Sequence, residues 1–302
     1  MFEQLGLIGC GLMGGSFALA LKKAGLVQRV VGYSKSPSTL RRARELGVID
    51  VEAPSALLAV SGADIVLLAV PVAATEDTFK SIRHLLGPNT LVMDVGSTKS
   101  DVVAAARSAL KDHLAGFVPA HPIAGKESAG VEHADALLYQ GRQVILTPLT
   151  ETDPVQVQRA TAVWQAVGAQ VLQMDPAAHD AAFAAVSHFP HLLAFAAVNA
   201  LTGQPQGGHY LSLAGPGFRD FSRIAASDPN MWRDILLANR DELQVQIGHF
   251  QTALAALERA MQTGDGQALR ELIQQASDTR GGWQMGQLGQ SASTGQTQPP
   301  SP

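Results

Sequence analysis

Cysteine is all but missing from this 302-residue chain. Cys10 is the only one, so no internal disulfide can form and a reducing compartment is the simplest setting. Broad positive charge is missing too: 22 Lys and Arg against 26 Asp and Glu leave a net charge of −4, which offers no basic surface for a phosphate backbone and argues against a nucleic-acid partner. The first residues lack the basic stretch of a secretory signal, and their apolar run is broken by Gly6, Gly9 and Gly11. No unbroken run of about 18 apolar residues is present, so a membrane span is not expected. These absences lead to the expectation of a cytoplasmic protein. Residues 281–302 contain no charged side chain and are rich in Gln, Gly, Ser and Pro, so they read as a disordered polar tail.

What is present is ordinary globular material, 46% hydrophobic and 16% charged, over a length that exceeds the roughly 100 to 200 residues usual for one domain. Strands are expected at Gln4 to Gly9, Arg29 to Tyr33, Asp64 to Val70, Thr90 to Val95, Phe117 to Ala120, Gln143 to Thr147 and Gln170 to Met174, with helical patterns between most of them. Alternation of this kind implies an α/β unit built on a mainly parallel sheet with helices on both faces. After Met174 the strand-like runs stop and alanine-rich helical patterns take over, placing a boundary near Asp175-Pro176. In that half Leu236, Leu243, Ile247, Phe250, Leu254, Leu257 and Met261 recur mostly three or four residues apart, an apolar stripe on one long helix. The stripe packs on a neighbouring helix of the same chain or forms a subunit interface; its length relative to the small helical half favours a homodimer.

Gly9-Cys10-Gly11-Leu12-Met13-Gly14 matches GxGxxG between the first strand and first helix, the context in which that motif binds a dinucleotide. Its glycines permit a tight turn, close approach of backbone to pyrophosphate, and close packing of helix on strand. The helix start then presents unpaired N–H groups to phosphate. About 20 residues on, where NAD enzymes carry an acidic residue, stands Ser34, followed by Lys35 and Ser36. With no carboxylate to repel a 2′-phosphate, NADP is expected to be slightly preferred over NAD. Ser36 also stands as the cap of the next helix, with Pro37 at its first position.

Asp94-Val-Gly-Ser-Thr-Lys99 ends a strand, where ligands of open α/β sheets lie, and so places Ser97 near a site. Downstream come His121-Pro-Ile-Ala-Gly-Lys-Glu127-Ser, Ser187-His-Phe-Pro-His191, Asp220-Phe-Ser-Arg223 and Ser227-Asp-Pro-Asn-Met-Trp232-Arg-Asp234. Taken in order, these segments resemble the prephenate/arogenate dehydrogenase family of tyrosine biosynthesis over nearly all of residues 2–280. The resemblance implies an N-terminal Rossmann-type dinucleotide-binding domain over residues 1–175 and an all-α C-terminal substrate and dimerisation domain over 176–280. It also implies oxidative decarboxylation of prephenate to 4-hydroxyphenylpyruvate, or of arogenate to tyrosine. Within it His121 is implied to accept a hydrogen bond from the substrate hydroxyl, with Ser97 contacting His121. His188 and Arg223 are implied to bind substrate, Arg223 through a carboxylate. Glu127 and Asp220 are implied to gate the pocket by pairing with Arg223. Trp232 either reaches a pocket of the partner subunit or serves as a core aromatic.

A metal site built on His188, His191 and His179 is disfavoured, because Pro190 interrupts the spacing and hydride transfer needs no redox-inactive metal. The alternatives are a β-hydroxyacid dehydrogenase or imine reductase of similar architecture, and a non-catalytic nucleotide-binding regulator. The hydroxyacid branch usually uses a lysine in its second domain, and residues 176–302 contain none. Against the regulator stands the retention of His121, Ser97, His188 and Arg223.

Overall fold

A computed structural model describes residues 1–125 and 128–284. Glu127, named above as a gating residue, and residues 285–302 of the polar tail lie outside the described residues. The chain divides into two compact units, one over Met1–Phe250 and a second beginning at Gln251.

The first unit opens with β1 (Phe2–Ile8), α1 (Leu12–Lys23), β2 (Val27–Tyr33), α2 (Pro37–Glu45), β3 (Val51–Glu52), α3 (Ala56–Ala59), β4 (Ile65–Leu68), α4 (Thr75–Ile82), β5 (Leu91–Asp94), α5 (Ser100–Ala109) and β6 (Phe117–Val118). These six strands form one parallel sheet in the order β3-β2-β1-β4-β5-β6. The central strands are buried end to end, as a sheet covered on both faces requires. The chain leaves β1 toward β2 on one side and later returns to β4 on the other, so the carboxyl ends of β1 and β4 frame the crevice where such sheets take ligands.

Pro119 then interrupts the strand expected over Phe117 to Ala120. A proline cannot donate to the ladder, and the chain passes into a second sheet. This sheet orders β7 (Ala120–Pro122), β8 (Gln143–Leu146) and β9 (Gln170–Gln173), with β7 antiparallel and β9 parallel to β8, and α6 (Pro154–Ala166) between the last two. A single mainly parallel sheet therefore becomes two, and His121 sits in the middle of the short β7, opposite Ile145.

Helices follow: α7 (Pro176–Phe183), α8 (Phe189–Thr202), α9 (Gly207–Ser212), α10 (Pro216–Ser222), α11 (Pro229–Ala238), α12 (Arg240–Gln262) and α13 (Gly266–Gly282). A wide π-helical turn, Ala184–His188, joins α7 to α8 immediately before Pro190, whose ring and missing N–H do not suit a regular turn there. The resulting stretch, Pro176–Thr202, is 27 residues long and by length and composition apolar enough to cross a membrane, contrary to expectation. The polar residues that interrupt its apolar run include His179, Asp180 and His188, all of them buried. The single long helix expected from Leu236 to Met261 is also corrected, because it breaks at Asn239. Leu243 on its stripe is buried, whereas Phe250, Leu254 and Met261 are exposed.

Candidate active site

The glycine turn occupies the crevice at the end of β1. Gly9 has φ 95°, and a Cβ there would stand 2.1 Å from the Ala69 carbonyl oxygen just after β4, so only glycine permits the approach. Gly11, by contrast, faces open space and begins α1 with no side-chain cap on the helix N–H groups. Gly14 packs on the turn itself: a Cβ there would meet the Gly9 carbonyl oxygen at 2.2 Å. Leu12 and Met13 are half-buried at the helix start, which the Tyr139 hydroxyl ties down by donating to the Met13 carbonyl at 2.7 Å. An open backbone cradle at an uncapped helix amino terminus fits the pyrophosphate of a dinucleotide. Cys10 in the turn is buried, and burial pushes its thiol up to about 12, so it is unreactive.

At the end of β2, Ser34 accepts a bond from the Ser36 N–H at 3.3 Å, and Lys35 beside it is exposed. Ser36 caps α2 by accepting from the Thr39 N–H at 3.2 Å, with Pro37 at the first turn, as its sequence position suggested.

A buried ion pair joins the two sheets. Lys99 Nζ binds Asp94 Oδ2 and donates to the Ala120 carbonyl at 2.9 Å, while the Ala120 N–H donates to Asp94 Oδ1 at 3.0 Å. Both groups of the Ala120 peptide are thus held, and His121 follows directly. Its ring is 9% exposed; Nδ1 lies 2.8 Å from His179 Nε2, and Phe183 meets the ring edge-on at 4.8 Å. Burial first, then the neighbouring His179, Lys99 and His188, lowers the His121 pKa well below the usual histidine range. The ring is therefore neutral at neutral pH.

His179 in turn places Nδ1 2.9 Å from Asp180 Oδ1. Asp180 also accepts the backbone N–H groups of Lys99 at 2.9 Å and Ser100 at 2.8 Å, and so caps α5 from a distant helix. Burial alone would raise the Asp180 carboxyl, but the bonds from His179, Ser100 and Lys99 outweigh it and hold the pKa below the ordinary value. For His179, burial outweighs the Asp180 bond and the pKa falls.

His188, on the π turn, is buried, and burial lowers its pKa to about 4. Asn239, at the helix break, uses one amide nitrogen to donate to the Asp180 carbonyl at 2.8 Å and to His188 Nδ1 at 3.0 Å. His188 Nε2 is sealed without a bond, although the Ser97 backbone faces the ring closely enough to favour its protonated form. His191 binds the Ser187 carbonyl through Nδ1 at 2.9 Å and stacks on Trp232 at 3.6 Å, which puts Trp232 in the core of this chain. Among the described residues, no group of three His, Cys, Asp or Glu side chains is arranged to hold a metal.

Two sequence-derived contacts differ. Ser97 is half-buried, and no bond joins it to His121, whose ring partner is His179. Asp220 pairs with its neighbour Arg219 at 3.3 Å, both largely exposed, and not with Arg223. Arg223 itself is exposed at the end of α10. The sequence offers His179 only as a metal ligand and assigns Asp180, Lys99 and Asn239 no role. Their signal was a polar residue set inside an apolar helix or strand end.

Two family models cover this architecture: the nucleotide-binding domain of prephenate dehydrogenase matches residues 17–173, and its dimerization domain matches residues 175–275. The chain belongs to the prephenate dehydrogenase family. Prephenate dehydrogenase of Bacillus subtilis strain 168 is 35% identical over 96% of this chain and 78% of its own length. The cyclohexadienyl dehydrogenase of Zymomonas mobilis is 32% identical, covering 93% of this chain and 96% of that protein. Among solved structures, the family enzyme of Aquifex aeolicus in complex with hydroxyphenyl propionate and NAD+ superposes with a TM-score of 0.86. It is 36% identical, over 93% of this chain and 97% of that one. Family membership makes the glycine crevice a pyridine-nucleotide site and the histidine cluster beside β7 the place to look for the chemistry.

Proposed function

We propose that this chain oxidatively decarboxylates a cyclohexadienol, prephenate or arogenate, yielding 4-hydroxyphenylpyruvate or tyrosine. The observation that carries the reading is His121: a buried, neutral imidazole on β7, next to the carboxyl ends of the dinucleotide-binding sheet. A pyridine nucleotide bound in the glycine crevice supplies the acceptor for a hydride. As hydride leaves the carbon bearing the hydroxyl, that hydroxyl becomes acidic and His121 takes its proton. Carbon dioxide is then lost from the opposite ring carbon, its bonding electrons aromatise the ring, and His121 returns the proton to the phenol oxygen. Acid–base help of this kind is worth roughly 10² to 10⁴ in rate.

The other residues take the parts the family resemblance implies. Arg223 binds a substrate carboxylate, for which its planar fork is suited, and His188 borders the substrate site, its ring held by Asn239. Ser97 and Trp232 line the same site, with Asp220 and Glu127 adjusting charge at its mouth. Ser34, Lys35 and Ser36 leave room for a 2′-phosphate, which supports a slight preference for NADP over NAD. The division into a nucleotide-binding domain over 1–175 and a helical domain over 176–280 follows the same reading. A homodimer through the C-terminal helices is supported by the matched dimerization domain and by exposed apolar side chains such as Leu254 and Met261. A cytoplasmic location suits such an enzyme.

A steady-state assay of both substrates against both cofactors, with wild type and His121→Ala side by side, tests this. Turnover of one substrate at least, lost by roughly 10²-fold or more in the variant, is expected. Dinucleotide binding with no turnover of either substrate would refute it.

A further inference from the structure

The three-member chain Asp180–His179–His121 admits only one arrangement of protons. Asp180 accepts backbone N–H groups on both carboxylate oxygens, so it is ionised and can only accept from His179. The proton of His179 is therefore on Nδ1, and Nε2 of that neutral ring carries a lone pair. A contact of 2.8 Å between that lone pair and His121 Nδ1 requires a hydrogen between them, which must belong to His121 Nδ1. His121, neutral as well, is left with a bare Nε2. Nε2 makes no bond among the described residues and is not one of the sealed polar atoms.

We infer that His179 and Asp180 are positioning residues of the reaction: they fix the proton of His121 on Nδ1, so that Nε2 stands ready to take a proton. The inference rests on the reading of His121 as the proton acceptor and adds what sets that role. When the substrate O–H bond breaks and an Nε2–H bond forms, His121 becomes an imidazolium whose Nδ1–H still points at His179. The Asp180 carboxylate then faces the new positive charge through one intervening ring. When the proton returns to the phenol oxygen the original arrangement is restored, with no net gain or loss. The same carboxylate caps α5, which tethers the relay to the helix that follows Lys99 and so to the ion pair holding the Ala120 peptide.

The arrangement has a spectroscopic signature independent of turnover. In the full-length enzyme labelled with ¹⁵N-histidine, long-range ¹H–¹⁵N correlation should show His121 protonated on Nδ1 and bare on Nε2 at neutral pH, the resonance being assigned with His121→Gln. His179→Leu removes the acceptor. It should shift His121 toward the Nε2–H form and lower turnover roughly 10²- to 10⁴-fold, the share that acid–base help contributes, with the NADP dissociation constant within about twofold of wild type. His179→Gln keeps an acceptor oxygen for Nδ1–H and should recover turnover to within roughly tenfold of wild type. A wild-type His121 protonated on Nε2 would overturn the inference, as would a His179→Gln enzyme no better than His179→Leu. Should neither substrate turn over, the functional reading fails but the tautomer measurement still stands. Should His179→Leu not fold, wild type and His179→Gln decide alone.

Discussion

Replacing Lys99 by Met should destabilise the enzyme far more than a surface lysine would, for reasons that can be worked from its surroundings. The Lys99 side chain is 0% exposed and that of Asp94 is 4% exposed, so the substitution leaves a carboxylate in the interior with no counter-charge. Breaking a buried pair by removing one partner costs about 3–5 kcal/mol. Asp94 retains N–H bonds from Ala120 at 3.0 Å and Gly96 at 2.8 Å, which places this case near the lower end, about 3 kcal/mol. Urea unfolding followed by circular dichroism, at one protein concentration, should therefore show a midpoint lower by about 1 M with an unchanged slope. Turnover should fall as well, since the Ala120 peptide loses one of its two ties and His121 is the next residue, while dinucleotide binding should change little. A loss below about 1 kcal/mol would sink the account.

Other outcomes follow from the same structure. Replacing Arg223 by Ala should raise KM by roughly tenfold or more with a smaller effect on kcat, because a carboxylate contact serves ground and transition states alike; an unchanged KM refutes that role. Ser34→Asp puts a carboxylate at the proposed ribose position, within reach of the Ser36 N–H, and should cut kcat/KM for NADP by roughly tenfold or more while sparing NAD. Equal loss with both cofactors would remove the ribose assignment. Acid should destabilise the fold in a defined window. His188 titrates near 4 when folded but at 6.5 when unfolded, so the unfolded chain takes up the proton first. Its contribution is complete above about 6.5 and shrinks as pH falls, by about 3 kcal/mol at pH 4, with His121, His179 and His191 acting in the same direction. A thermal midpoint flat between about pH 7 and 5 would contradict this.

The dinucleotide half was legible because its signals are local. Apolar runs bounded by glycine, a GxGxxG turn between strand and helix, and Ser36-Pro37 opening α2 each act within a few residues, and Gly9 and Ser36 do what their positions implied. Pro119 was also visible, yet an apolar run continues on both sides of it, and only the absent N–H separates β6 from β7. The catalytic end was less legible, since His121 and His179 stand 58 residues apart and meet only after two sheets and a helix have packed. The family resemblance pairs Ser97 with His121, but the segment between β5 and α5 turns Lys99 into the interior, with the Ser97 backbone toward His188.

A physical rule was nonetheless available. Buried polar groups must find partners, so a chain that spends His179, Asp180, His188 and Asn239 inside apolar helices commits them to one another. Asn239 shows how strongly: it interrupts an otherwise regular stripe and ends α11, and its amide bridges the Asp180 carbonyl to His188. The same few bonds hold α7, the π turn and the helix break around β7. The elements that build the helical half are therefore held by the same residues that are proposed to orient His121, and a substitution in that cluster should change stability and turnover together.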